Sequence, residues 1–404
     1  MNLGLLGFDD ATATLARAAT RAGDRIGPVA DVPADAPLPA GARRVTWEDL
    51  LDADSCDAVA VAAGGWHEGR ADAVRKLVQA GRTLLLVQPL DLSMLFAWEL
   101  DMIRRDSGAR LVPVLPERLC PPIGRLRGWI ADRPGAVESI VLERRLADRS
   151  RDAVQRQFCR DADLVRVLVG APTRLATLGS ADGESAWSTL AVGLSSPGHP
   201  PARWQAAGPG GPALSVTAVA ADGRATLEID PPDTPGGATR WRWRDADGAE
   251  AGEFDGAAAI LDDLHAGGQS DGAGDRVRPA GWEDAARGVE LAETIPRSLA
   301  KGRAVDLHQE EFSEIGTFKG TMASLGCGIV LLALVVVVVA TLVAGIARET
   351  GWELGERIAG AWPGLVLGAM ALFLALQLLP ALVGGAREAD RAGAPPRGGR
   401  RGKP

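Results

Sequence analysis

Between Met1 and Gly108 short apolar runs alternate with segments of helical period, and this alternation constrains the fold more than any other feature of the chain. NLGLLGF reads as a strand, and ATATLARAATRAG reads as a helix that stops at Gly23. RIGPVAD is a weaker strand, because Pro28 has no N–H to give to a ladder. WEDLLDAD is a helical turn, DAVAVAA a buried strand, HEGRADAVRKLVQAG a helix, RTLLLVQP a strand and LDLSMLFAWELDMIRRDSG another helix. Strands separated by helices are joined by right-handed crossovers and therefore lie parallel in a doubly wound α/β sheet, expected over 1–120.

The pattern changes after Ala136. AVESIVLERRLA, ARWQAAG, ALSVTAVAADGRATLEI and TRWRWRDADGAEAGEF read as strands, and Asp222-Gly223 and Asp247-Gly248 mark hairpin turns inside the last two. RDADLVRVLVG and AGWEDAARGVELAETIPRSLAKG add helices. The expectation for 121–308 is an α+β domain with an open antiparallel sheet.

From Gly320 to Ala347 no side chain is charged, and a second uncharged stretch runs from Ile358 to Ala386. A bilayer span needs roughly 20 apolar residues, so the sequence predicts a linker over 309–320, membrane helices over 321–347 and 358–385, and a basic disordered tail over 386–404. Trp352 and Trp362 flank the connecting loop, as indoles do at a membrane boundary. The tail carries Arg387, Arg391, Arg397, Arg400, Arg401 and Lys403 against only Arg348 and Arg357 in the loop, which places the tail on the cytoplasmic side. Two spans bring the N-terminal domains to the same side, and the start of the chain lacks the basic flank of a secretory signal. The lipid bilayer is thus an expected partner.

The formal net charge of −8 leaves no overall positive field for nucleic acid. Cys56, Cys120, Cys159 and Cys327 have no paired spacing and are read as reduced packing residues, with neither a disulfide framework nor a metal site. Only Lys76, Lys301, Lys319 and Lys403 are lysines.

GLLGFDD, VAD at the end of the second strand, CDAVAVAAGGWHEGRADAVRKLVQAGRTLLLVQP, RDADLVRVLVG and AGWEDAARGVELAETIPRSLAKGRAVDL occur in an order that resembles the Gfo/Idh/MocA oxidoreductases, relatives of glucose-fructose oxidoreductase and inositol dehydrogenase. The resemblance covers roughly residues 1 to 308 and implies a Rossmann-like domain that binds NAD or NADP, with a sugar-like substrate held against the sheet of the second domain. In the G-x-G-x-x-G turn of such domains the second glycine lets backbone approach the pyrophosphate. Here Gly7 stands first, Asp9 takes the second place and Thr12 the third, so a carboxylate sits where phosphates belong and repels them. Asp31, 24 residues after Gly7, is where an acid holds the ribose hydroxyls, or is a capping or loop aspartate. His67 stands where the family often has a histidine, or caps the helix that starts at Glu68.

The family's Glu-Lys-Pro motif looks like Val87-Gln88-Pro89, and Gln88 does not exchange a proton near neutral pH. The family's histidine and aspartate before its leucine-rich helix look like Arg160 and Asp163. Arginine stays charged and cannot act as a general base, although it can bind an anion or pair with Asp163 on the helix surface. The reading is a membrane-tethered protein with degenerate cofactor and catalytic motifs, acting as a nucleotide- or ligand-binding or scaffolding module, with NAD or NADP binding weakened or lost. Two alternatives stand beside it: an active NAD(P)-dependent oxidoreductase on a sugar or polyol, and a membrane adaptor that docks an unknown membrane protein through EEFSEIGTFKGTMASLG. A small anionic or sugar-like ligand is the expected occupant of the cleft.

Overall fold

The computed structural model describes residues 1–179, 186–208, 210–232, 236–267 and 277–307, and, further on, Val339, Thr341, Leu342, Gly345 and Glu349. The chain divides into two compact units, 1–309 and 310–404. The expected linker, the two uncharged stretches and the basic tail lie outside the described residues, except for those last five, which are helical. Among the described residues no helix is long and apolar enough to cross a membrane.

The first sheet forms from β1 (Asn2–Leu6), β2 (Arg25–Ala30), β3 (Arg43–Arg44), β4 (Ala58–Val61), β5 (Leu84–Val87) and β6 (Leu111–Val114) in the order β3-β2-β1-β4-β5-β6. Every pairing is parallel, and the order reverses between β1 and β4. Helix α1 (Asp10–Arg21) buries Leu15, Ala16, Ala18 and Ala19 on one face of this sheet. Helices α2 (Glu68–Gln79) and α3 (Met94–Ser107) cover the other face through Val74, Leu77, Phe96 and Leu100. The register of β1 on β2 shifts between Leu3 and Leu5, where Gly27 and Pro28 stand, so the missing proline donor is absorbed by an irregularity and the strand survives. β3 and β6 fell outside the sequence reading: β3 is two residues long, and β6 carries Pro113.

Helix α4 (Pro121–Ala131) leads into a nine-stranded sheet made of β7 (Val137–Arg145), β8 (Arg174–Leu178), β9 (Ala191–Ser195), β10 (Ala202–Ala207), β11 (Leu214–Ala220), β12 (Gly223–Asp230), β13 (Thr239–Asp245), β14 (Gly248–Phe254) and β15 (Val305–Asp306). Its order is β14-β13-β12-β11-β7-β10-β9-β8-β15. The sheet is mixed rather than antiparallel, because β7 and β10 pair in parallel, joined by a crossover that contains α5 (Arg151–Val169). Both expected hairpins form, with one correction. The two-residue loops are Ala221-Asp222 and Ala246-Asp247, and each glycine opens the returning strand.

One face of this sheet buries Leu142, Trp204, Val216 and Leu227 under α5 and α7 (Trp282–Lys301). Phe158 of α5 meets Trp204 edge-on at 5.3 Å. Asp161 of α5 accepts from the Arg144 guanidinium (2.9 and 2.5 Å) and from Trp204 Nε1 (2.8 Å), all three residues being buried. Helix α7 joins the two cores, with Trp282, Ala285 and Ala286 in the first and Val289, Ala292 and Ile295 in the second. Helix α6 (Gly256–His265) returns from the second sheet to pack Ile260 and Leu261 beneath the first. Cys56, Cys120 and Cys159 are free and buried, as read from the sequence, while Cys327 lies outside the described residues.

Candidate functional site

In an open α/β sheet the crevice forms at the carboxyl ends of the strands where the strand order reverses, which here lies between β1 and β4. Gly7 leaves β1 with φ +79°, and its N–H donates to Ala30 O at 2.9 Å. Asp9 is the N-cap of α1: Oδ1 accepts from the N–H of Thr12 at 2.9 Å, and the Thr12 hydroxyl in turn accepts from the N–H of Asp9. The other carboxylate oxygen, Oδ2, accepts from the N–H groups of Ala63 and Gly64 past the end of β4, both at 2.9 Å. The repulsion read from the sequence is therefore only part of the account. The Asp9 carboxylate takes up one N–H at the N-terminus of α1, of the kind that binds a phosphate, and two in the loop after β4.

Arg70, in the first turn of α2, escaped the sequence reading. Its guanidinium is 5% exposed and lies against Gly7 so closely that a Cβ there would sit 2.6 Å from Cζ. It donates to Ala62 O (3.2 Å), Gly64 O (2.5 Å) and Asp31 Oδ2 (2.6 Å), spanning the ends of β1, β2 and β4. Asp31 adopts a left-handed backbone, φ +52°, and its Oδ2 also meets His67 Nε2 at 3.0 Å. His67 is the N-cap of α2, accepting from the Arg70 N–H through Nδ1 at 3.3 Å, so the capping alternative is realised together with a contact to Asp31. The only hint in sequence was an arginine three residues after a candidate capping histidine, on a helix that follows a buried strand.

Gln88 closes β5 and is buried, with its Nε2 donating to Leu86 O at 3.3 Å. Arg160 Nε donates to the backbone carbonyl of Gln88 at 2.7 Å, and Arg156 of the same helix donates to the carbonyls of Pro89 and Leu90. The two α5 arginines thus hold the loop that follows β5. The surface ion pair between Arg160 and Asp163 does not form. Asp163 is 2% exposed and accepts instead from Arg118 at 2.8 Å, because a carboxylate this deep needs a buried cation.

Arg118 also reaches Asp284 Oδ2 at 3.1 Å, and Asp284 takes Arg166 at 2.9 Å and the Gly281 N–H at 3.0 Å. Burial pushes Asp163 up to about 6 against the pull of Arg118, with Asp284 adding to the rise. Burial works to raise Asp284 as well, but Arg118, the Gly281 N–H, Arg166 and Arg278 hold it below its usual range. Two carboxylates share one guanidinium here, and the better-solvated, better-bonded one keeps the charge. Sequence brings Gly7, Asp9, Asp31 and His67 into one crevice, and Gln88 and Arg160 into one contact. Asp163 belongs to the separate buried network. Among the described residues no cluster of His, Cys, Asp and Glu could hold a metal ion.

Three solved structures are similar over most of the chain. A myo-inositol dehydrogenase homologue from Sinorhizobium meliloti 1021 has a TM-score of 0.59 at 19% identity, covering 76% of this chain and 99% of its own. GenD2 from gentamicin A biosynthesis, solved in complex with NAD, matches with a TM-score of 0.59 at 20% identity, covering 76% and 96%. A myo-inositol dehydrogenase from Corynebacterium glutamicum matches at 0.55 and 18%, covering 76% and 99%. The chain has their fold. No family model matches the sequence, and no curated protein does. A parallel sheet followed by a mixed sheet is thus the fold this chain shares with those solved structures. In the crevice of this chain Asp9 holds the N–H groups of Thr12, Ala63 and Gly64, and Arg70 fills the space against Gly7 and engages Asp31.

Proposed function

We propose that this chain is a membrane-tethered, non-catalytic module that keeps an oxidoreductase fold as a ligand-binding or scaffolding body. The observation that carries this reading is the Asp9 carboxylate bound by the N–H groups of Thr12, Ala63 and Gly64, an anion of the chain itself in the place of a pyrophosphate. Residue chemistry supports it: Gln88 and Arg160 offer hydrogen-bond donors where the enzyme reading asks for a general acid or base, and Asp163 is committed to Arg118. A small anionic or sugar-like ligand would be held by hydrogen-bond donors such as Arg160, whose Nε is already engaged by Gln88 O.

The uncharged stretches over 321–347 and 358–385 supply the tether, with both folded sheets and the basic tail on the cytoplasmic side. A second reading, an NAD(P)-dependent oxidoreductase acting on a sugar or polyol, draws on the fold shared with GenD2, which was solved with NAD. Titration of the detergent-solubilised full chain with NAD and NADP, followed calorimetrically, separates the two. The module reading expects affinity no tighter than high micromolar and no polyol turnover. Polyol turnover that disappears in Asp163→Asn would establish the enzyme instead, and micromolar or tighter binding would overturn the argument from Asp9.

A further inference from the structure

Helix α3 covers the first sheet through Phe96, Ala97 and Leu100, yet its opposite side carries Leu95, Trp98 and Met102, which are 74%, 47% and 59% exposed. Their spacing of three and four residues puts them on one stripe of the helix. Leu178 is the only other large apolar side chain so exposed among the described residues of 1–309. Nothing in the cofactor crevice or the buried network uses this stripe.

We propose that the Leu95–Trp98–Met102 stripe rests on the headgroup boundary of a lipid bilayer. The inference rests on the reading that 321–347 and 358–385 enter that bilayer. Three observations favour lipid over a protein occupant. The described fold ends at Leu307, and the thirteen residues of 308–320 reach at most about 47 Å fully extended, which bounds how far the first uncharged stretch starts from the fold's end.

The helix also stands near that exit. The Met94 N–H meets Glu293 Oε2 at 3.4 Å, and α7 runs only from there to Lys301, about 12 Å along its axis, before β15 and the end of the fold. Finally, the stripe offers on the order of 350 Å² of apolar side chain, below the ~800 Å² per partner of a stable protein interface. A patch this small binds weakly alone, and a tether raises its effective concentration at the membrane. Trp98 lies at its centre, where an indole suits the boundary between headgroups and acyl chains.

The test uses the full chain in phosphatidylcholine liposomes, with Cys327→Ser as background and an environment-sensitive fluorophore placed through Leu95→Cys, Met102→Cys or, as a control, Leu178→Cys. All three labelled positions are exposed, so the core is untouched. Probes on α3 are expected to be quenched at least twofold more by lipids carrying a shallow nitroxide than the probe at position 178. Quenching of the α3 probes by aqueous iodide equal to that of the control overturns the proposal. Shielding from iodide without quenching by lipid, together with a dimer by native mass spectrometry, overturns it in favour of a second copy. Carbonate extraction of the same liposomes tells the two readings apart: a chain that washes off removes the tether and this inference with it, whereas a carbonate-resistant chain with water-exposed α3 probes removes this inference alone.

Discussion

Single side chains fill the crevice at the end of β1, and Asp9 takes up three of its N–H groups. Asp9→Gly releases the N–H groups of Thr12, Ala63 and Gly64, leaving a phosphate-sized group of donors at the start of α1. NAD affinity is expected to rise by about 1 to 3 kcal/mol in calorimetric titration, while α1 loses only a few tenths from its cap. Arg70→Ala alone is expected to leave affinity unchanged, since Asp9 still holds the amides. The pair Asp9→Gly with Arg70→Ala should bind best, because it also clears the space against Gly7 and frees Asp31.

Asp163 gives a second prediction at this scale. Its folded-state value of about 6 lies above the usual carboxylate range, so the native state binds the proton more tightly than the unfolded chain. Stability should therefore rise as pH falls from about 7 to about 4, by up to roughly 3 kcal/mol from this group. Asp284, held low, works in the opposite sense, but only below the ordinary carboxylate range. Thermal unfolding of wild type and Asp163→Asn across pH 4 to 7 isolates the contribution of this carboxyl: the variant should lack the stabilisation on acidification.

Among the elements, α5 is tied to the second sheet through one buried polar side chain. Asp161 presents one carboxylate to the Arg144 fork on β7 and to Trp204 Nε1 on β10, tying the helix to the parallel pair at the sheet's centre. Asp161→Ala strands a buried guanidinium and a buried indole N–H, and is expected to cost about 3 to 5 kcal/mol in denaturant unfolding. Arg203, on the same β10 but on the exposed face, makes a control: Arg203→Ala should stay within about 0.5 kcal/mol. The parallel pairing of β7 with β10 was not legible in sequence, because hairpin signals report only neighbouring strands and the crossover through α5 carries no such signal.

For the whole molecule, the arginine-rich tail and the even number of uncharged stretches lead to the prediction that residues 1 to about 319 face the cytoplasm. Protease added to sealed right-side-out cells should leave this region at full length in an immunoblot, and lysis should render it cleavable. Digestion without lysis reverses the topology.

The alternation that makes the first sheet parallel, the two hairpins, the helix that closes the unit, and the residue types of Asp9, Gln88 and Arg160 were all legible along the chain. These follow from local period, turn chemistry and residue type, which neighbouring residues carry. The tertiary structure was needed to see that Asp9 is satisfied by amides of the loop after β4, that Arg70 fills the crevice, and that Asp163 pairs with Arg118 and shares it with Asp284. Each of those contacts joins residues far apart in the chain or set by the angle of a helix on its sheet, and buried charge finds its partner by proximity in space rather than along the sequence.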